Sequence, residues 1–210
     1  MGMMRLSLSH PVEFLILAVV LLYSVILHET AHGWAALLFG DDTAKARGRL
    51  TLNPIPHIDP VGAIMLFLVG FGWAKPVPVN YERLKDSRFG LLCVALAGPL
   101  TNILIATAAI FLLSIPGVGR NSVAAGLLPL IAHVNILLGA FNLIPLPPLD
   151  GSRILMEFLP EGPRRGFARL DRVGFFLLAF LLLTGLLNPV VNFMQKMVYA
   201  AIALFVGGVR

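Results

Sequence analysis

Residues 28–32 read His28-Glu29-Thr30-Ala31-His32, set between the apolar runs FLILAVVLLYSVIL and GWAALLFG. On an α-helix, residues four apart differ by about 40° in azimuth and ~6 Å in height, so both imidazoles face one ion and Glu29 flanks it. Neutral imidazoles suit zinc. A zinc ion held in this way lowers the pKa of bound water to about 7, and an adjacent carboxylate can take that water's proton during attack on a carbonyl. In a soluble helix such a pentad can be accidental surface sequence. Here three ionisable side chains stand in an apolar segment, where each costs on the order of 3 kcal/mol and is kept for function.

The elements that must position these residues are membrane elements. Of 210 residues, 58% are hydrophobic and 13% charged, and the mean hydropathy is +0.87. This composition describes an integral membrane protein rather than a soluble domain with a large core. Without a Ser/Gly-rich linker or charge block, residues 1–210 read as one domain. The net charge of +5 does not point to nucleic acid, because Lys and Arg occupy short loops without interleaved aromatics and act as topology determinants. The lone Cys93 offers neither a disulfide framework nor a cysteine metal cluster. Arg5 followed by apolar sequence has the outline of a signal peptide. The run continues through the pentad with no small-residue cleavage site before it, so a retained first helix is expected.

That first span runs from about Pro11 to Phe39, and counting back from Gly40 puts His32 roughly 12 Å and His28 roughly 18 Å below its end, within the bilayer. VGAIMLFLVGFGWA is too short for a comfortable crossing. With Gly70, Gly72, Pro76 and Pro78 against helix, it and KPVPVN read as a re-entrant or membrane-edge β-hairpin, a backbone that survives at membrane depth only against protein or a wet cavity. Further spans are expected at about Phe89–Leu113, Ser122–Leu143, Val173–Leu187 and Pro189–Val206. The fold class is therefore an all-α polytopic membrane protein with about five transmembrane helices and one re-entrant or hairpin element. The basic residues from Lys45 to Arg88 and from Arg153 to Arg172, with Arg210, fall on one side of this topology. Arg5, Arg120 and Lys196 fall on the other, so the site should open towards the cytoplasm.

Catalytic zinc takes three protein ligands and leaves a position for water, so the pentad needs a partner from His57, Asp59, His133, Asp150 or Glu157. Asp150 leads, because the Pro-rich break NLIPLPPLDG needs a local reason and a carboxylate at a helix start meets a favourable dipole. An N-cap role would explain it equally well. His133 is the rival: on a regular third span it lies about 180° from Asn142, with Asn135 about 20° from Asn142, and either face can turn to the metal.

The combination of HETAH in an apolar helix, AGPLTN, and NLIPLPPLDG resembles the site-2 protease family of intramembrane zinc metalloproteases, peptidase family M50. LTLNPIPHIDPVG and FGWAKPVPVN extend the resemblance over roughly residues 20–155, and it is closest to compact prokaryotic members without a PDZ or CBS domain. It implies His28, His32 and Asp150 as ligands of one zinc ion, Glu29 as general base, and Asn142 near the substrate or oxyanion. His133 then becomes a packing or supporting residue, and Asn102 of GPLTN a support or a link between helices. His57 and Asp59 fit a capped polar turn. The implied activity is hydrolysis of peptide bonds within or near transmembrane segments of protein substrates in a prokaryotic plasma membrane, with an adaptor or homo-oligomer left open. The GFGWAKPVPVN segment would bind the unwound substrate by its edge, and proline at alternate positions leaves only one edge with donors. Two alternatives from other classes are a transporter with a buried cation pathway and a catalytically silent relative that binds membrane proteins.

Overall fold

The computed structural model describes residues 10–69, 72–85 and 87–208; Arg5, Gly70 and Arg210, used in the sequence reading, lie outside the described residues. Helix α1 spans Pro11–Leu38, α2 Pro60–Val69, α3 Ser87–Ser114, α4 Ser122–Asn142, α5 Asp150–Phe158, α6 Glu161–Leu183 and α7 Asn188–Gly208. Among the described residues there is no strand. The fold is that of an all-α polytopic membrane protein.

Why these segments are helices is local. Pro at the first turn of α1 has no N–H to leave unsatisfied and a backbone angle already helical. Gly40, at φ +99°, stops that helix in a conformation other residues resist. Asn121 caps α4 by accepting the N–H groups of Val123 and Ala124. The central helix is α3, packed between α1 and α4. A Cβ on Gly139 of α4 would sit 3.1 Å from the Pro99 carbonyl of α3, so a glycine there lets the two backbones approach.

Four helices are long and apolar enough to cross a membrane: α1, α3, α4 and α7. The expected span at Val173–Leu187 differs. Its helical part is Val173–Leu183 at the end of α6, shorter than the roughly 20 residues a crossing needs. Leu178 and Leu187 pack with Ile144 and Leu149 just beyond the end of α4, and Val191 and Met194 of α7 join the same cluster. Further along α7, Val198, Ile202 and Val206 pack on Ala106, Ile136 and Ala140. Helix α7 therefore begins where α4 ends and runs back along it. The apolar stretch before it turns at Gly185, at φ +73°, near that same end of the bundle.

The expected hairpin has a helical first leg. PVGAIMLFLV has its one glycine and its one proline in the first turn and forms α2, whose start is capped by Asp59 Oδ1 accepting from Val61 and Gly62, 2.9 Å each. The return leg crosses α2 at contact distance: a Cβ on Gly62 would lie 2.1 Å from the Trp73 carbonyl oxygen, and one on Gly72 would lie 2.2 Å from the Gly62 carbonyl oxygen. Residues 72–80 are then extended, without a strand partner among the described residues.

This extended leg is tied at both ends. The Lys75 N–H donates to the His57 carbonyl at 2.9 Å, and Arg49 Nη2 donates to the Lys75 carbonyl at 2.7 Å. At the far end, Asn80 N–H donates to Asp41 Oδ2 at 2.6 Å. Asp41 is fully buried just after α1 and also accepts the Thr43 N–H at 3.0 Å and the Thr43 hydroxyl. Burial alone would push its carboxyl up. The bonds from Thr43 and Asn80, with the Arg83 charge nearby, outweigh that and hold it below the usual carboxylate range. A carboxylate lowered in this way stabilises the fold above the unfolded pKa of about 3.9, and that contribution disappears as the pH falls through the lower folded value. Asp41→Asn should therefore cost about 1–3 kcal/mol at neutral pH, read as a lower melting temperature in detergent. The gap to wild type should shrink as the pH drops below about 4. A gap that persists unchanged in acid would contradict this role for Asp41.

Candidate active site

The pentad occupies the second half of α1, where His28 and His32 are buried. Asp150, the first residue of α5, arrives from the other end of the chain. Its Oδ2 lies 3.1 Å from His28 Nε2 and 3.2 Å from His32 Nε2, and the two Nε2 atoms are 3.1 Å apart. These three are the cluster of His, Cys, Asp and Glu atoms that could hold a metal ion among the described residues, all within 4.8 Å of one another.

The hydrogen bonds behind this triangle fix which atoms point into it. Ile131 presents a carbonyl, an acceptor only, to Asn135 Nδ2 at 2.9 Å. Asn135 Oδ1 therefore faces Asn102 and accepts from its Nδ2 at 2.8 Å. That turns Asn102 Oδ1 to His28 Nδ1, 2.6 Å away, so the Nδ1–H is the donor. Ser24 closes the network, its carbonyl taking Asn102 Nδ2 at 3.3 Å and its hydroxyl taking Asn135 Nδ2 at 2.9 Å. His32 is simpler, for its Nδ1 can only donate to the Val94 carbonyl, at 2.7 Å. With both rings neutral, both Nε2 atoms carry lone pairs. Two lone pairs and a carboxylate oxygen then meet about 3 Å apart with no hydrogen between them, an arrangement that a cation resolves.

Glycine makes room for it. A Cβ on Gly98 of α3 would lie 2.4 Å from His32 Nε2 and 2.5 Å from His28 Nε2, inside ligand distance of both. Pro99 follows, and without an N–H it leaves the Ala95 carbonyl, next along from that of Val94, without its helical donor. Gly151 does the same service for Asp150. A Cβ there would lie 2.3 Å from the Leu143 carbonyl and 2.5 Å from that of Ile144, so only glycine lets α5 start flush on the end of α4. Two neutral imidazoles, one carboxylate and the space kept by Gly98 fit a divalent transition metal with positions left for water or substrate.

Glu29 lies beside the ligands and accepts the Val77 N–H at Oε2, 2.8 Å. Val77 is buried, and its Cγ1 would be 2.9 Å from a Cβ at Gly33, one helical turn beyond Glu29. The extended leg thus lies along the Glu29–Gly33 face of α1.

The rival third ligands fall away. His133 is exposed on α4 while Asn135 faces inward. Glu157 is buried but pairs with Arg164 at 2.7 Å. Asp59 caps α2, and His57 is buried in the polar turn with Nε2 2.9 Å from the Thr51 carbonyl. The Asn142 side chain donates to the Leu138 carbonyl of its own helix at 3.0 Å. Sequence reasoning missed Asn135 as a member of the site network, although its place on the Asn142 face was a usable signal, and it missed Gly98 as the residue that makes room.

Fold and site together define an integral membrane protein with two histidines and one carboxylate placed so that they could hold a metal ion. The peptidase family M50 model matches residues 16–125 and 119–185, and the chain belongs to that family. YwhC of Bacillus subtilis is 42% identical over 177 residues, covering 81% of this chain and 81% of its own length. Rip2 of Mycolicibacterium smegmatis is 28% identical over 86% of this chain and 71% of its own. The zinc metalloprotease MJ0392 of Methanocaldococcus jannaschii is 26% identical over 86% of this chain but only 46% of its own length. No solved structure matches the chain.

Two substitutions on α3 test the geometry. Gly98→Ala, which favours the helix but places a methyl against both Nε2 atoms, should abolish metal retention with helical content unchanged. Asn102→Ala should weaken metal affinity about 10–100-fold, measured by competition with a chelator, because His28 loses the partner that fixes its tautomer. Wild-type affinity in both variants would show that the ion sits elsewhere.

Proposed function

We propose that the chain is an intramembrane zinc metalloprotease that hydrolyses peptide bonds within or next to transmembrane segments of other membrane proteins. The observation that carries this reading is the meeting of His28, His32 and Asp150 within 4.8 Å, inside a bundle of membrane-length helices and beside Glu29. Zinc in such a site polarises a carbonyl and makes water acidic enough to react at neutral pH.

The chain's own residues supply orientation and proton transfer. Asn102 and the Val94 carbonyl accept the Nδ1–H of the two imidazoles and so turn their Nε2 atoms inward. Glu29, with Oε2 held by Val77, has its other carboxylate oxygen to take the proton of the attacking water and pass it to the leaving amine. Asn142 uses one side-chain N–H on Leu138, and its second N–H is assigned to the substrate carbonyl as charge develops there.

A transmembrane substrate hides its carbonyls in helical hydrogen bonds and must unwind locally. The extended leg at 72–80 gives the unwound strand a backbone to lie against. Lys75, Val77 and Val79 share one edge by the two-residue period of extended chain. Of these, Val79 keeps an N–H with no partner among the described residues, while Pro76 and Pro78 strip the opposite edge of donors. Four crossings put the basic loops around the leg on the side where Asp150 enters, which supports a site opening to the cytoplasm of a prokaryotic plasma membrane.

The test is Glu29→Gln, assayed on a quenched fluorogenic transmembrane peptide in detergent. Zinc content should stay at the wild-type level while cleavage falls by at least about a hundredfold. Cleavage that persists in the variant would remove Glu29 as the base. A wild type that cleaves nothing but carries cations across liposomes would replace the protease reading with the transporter.

A further inference from the structure

Arg49 stands outside the machinery described so far. It follows the one-turn helix Thr43–Ala46 and is only 8% exposed, in a loop where a charged side chain has every opportunity to reach solvent. Among the described residues its one side-chain hydrogen bond goes from Nη2 to the Lys75 carbonyl at 2.7 Å, and its Nε is buried without a partner. A neutral amide could make that single bond without the cost of burying a guanidinium. The acid whose charge acts on it is Glu29, which opposes the downward push that burial exerts on the guanidinium. Among the described residues no ion pair joins the two.

Register explains why the grip falls on Lys75. In extended chain, residues two apart present their N–H and C=O groups to the same edge. Lys75 is held on that edge at both groups, its N–H by the His57 carbonyl at 2.9 Å and its C=O by Arg49 at 2.7 Å. Two residues on, the same edge brings the Val77 N–H to Glu29 Oε2 at 2.8 Å. Pro76 and Pro78 flank Val77, so neither neighbour can offer Glu29 a substitute donor if the leg slips by one residue.

We propose that Arg49 is a positioning residue for peptide hydrolysis, gripping the Lys75 carbonyl so that the extended leg keeps the Val77 N–H on Glu29 and the carboxylate stays in one orientation beside the metal ligands. The proposal rests on the metalloprotease reading. Arg49 touches neither metal nor substrate; it acts through the leg. The guanidinium is suited to this because its rigid planar head aims the one Nη2–H at the carbonyl, while its charge strengthens that bond and favours the nearby carboxylate.

The experiment compares wild type, Arg49→Gln, Arg49→Lys and Val77→Pro, the last removing the N–H and exchanging the buried isopropyl group for a ring of similar size. Three quantities are measured: zinc per chain, amide hydrogen exchange over residues 72–80, and kcat and KM on the fluorogenic transmembrane peptide. Zinc should remain at the wild-type level in all four. In Arg49→Gln the Lys75 and Val77 amides should exchange faster, and kcat should drop about tenfold or more with KM within about twofold. Arg49→Lys, which keeps the charge but not the planar head, should fall between. Val77→Pro should reproduce the loss of kcat, and adding Arg49→Gln to it should cost little more. Wild-type kcat in Arg49→Gln with the leg's amides deprotected would overturn the proposal. So would loss of zinc in both Arg49 variants, which would mean that Arg49 maintains the metal helix itself. If wild type fails to cleave the probe, the protease reading is what fails, and the exchange data still decide the grip: unchanged protection in Arg49→Gln overturns it, and lost protection supports it.

Discussion

Two buried imidazole Nε2 atoms and a part-buried carboxylate oxygen, held about 3 Å apart, are the constraint around which the rest of this molecule is arranged. With both rings neutral and no cation present, that arrangement is repulsive. Each imidazole is held in it from behind, at Nδ1, by a bond with only one possible polarity. The chain of acceptors and donors from the Ile131 carbonyl through Asn135 and Asn102 to His28 leaves His28 no choice of tautomer, and the Val94 carbonyl does the same for His32. In an apolar bundle such amide networks have no water to exchange with, so their directions are fixed by the fold. Three of the four membrane-length helices contribute: α1 brings the ligands, α3 brings Gly98, Val94 and Asn102, and α4 brings Asn135 and the platform on which α5 presents Asp150.

A second layer concerns the base rather than the ligands. The leg at 72–80 is extended without belonging to a sheet, and its hydrogen bonds go to a helix side chain, a loop carbonyl, a guanidinium and a buried aspartate. Each of those partners lies in α1 or in the loop between α1 and α2. The leg is therefore referenced to the same helix that carries the metal ligands. Motion that separated it from α1 would release Glu29 while leaving the metal triangle intact, so binding of the ion and readiness for proton transfer are separable properties of the fold.

Much of this was legible in the sequence, and the parts that were not have physical reasons. HETAH in an apolar run placed His28, His32 and Glu29 on one turn, because helical spacing and the cost of ionisable groups in hydrocarbon act within a single segment. Asp150 and His133 could not be separated by spacing, since the choice depends on how α4 is rotated; in the fold Asn135 turns inward and His133 out, and Asp150 is the group that meets the two histidines. Asn102 was ambiguous, because an amide joining helices and an amide orienting a ligand have the same sequence signature, and here it is both. Gly98 and Gly151 were hidden as ordinary glycines until the atoms that a Cβ would meet were in place. The stretch 173–187 has the composition of a span, but composition does not say whether a chain crosses or turns back, and the contacts of Leu178 and Leu187 at the end of α4 make it turn. The hairpin reading took Gly70, Gly72, Pro76 and Pro78 as evidence against helix, yet all of them lie after the ten residues that form α2.

The central claim is that Asp150, reaching the pentad from more than a hundred residues away, completes the metal centre. It is tested most directly by counting zinc per chain in detergent-purified wild type and in Asp150→Ala. The account predicts about one zinc in the wild type and a large loss in the variant, with the helical content of both the same. Full zinc retention in Asp150→Ala would contradict it, because the two imidazoles would then be holding the ion with some other third partner.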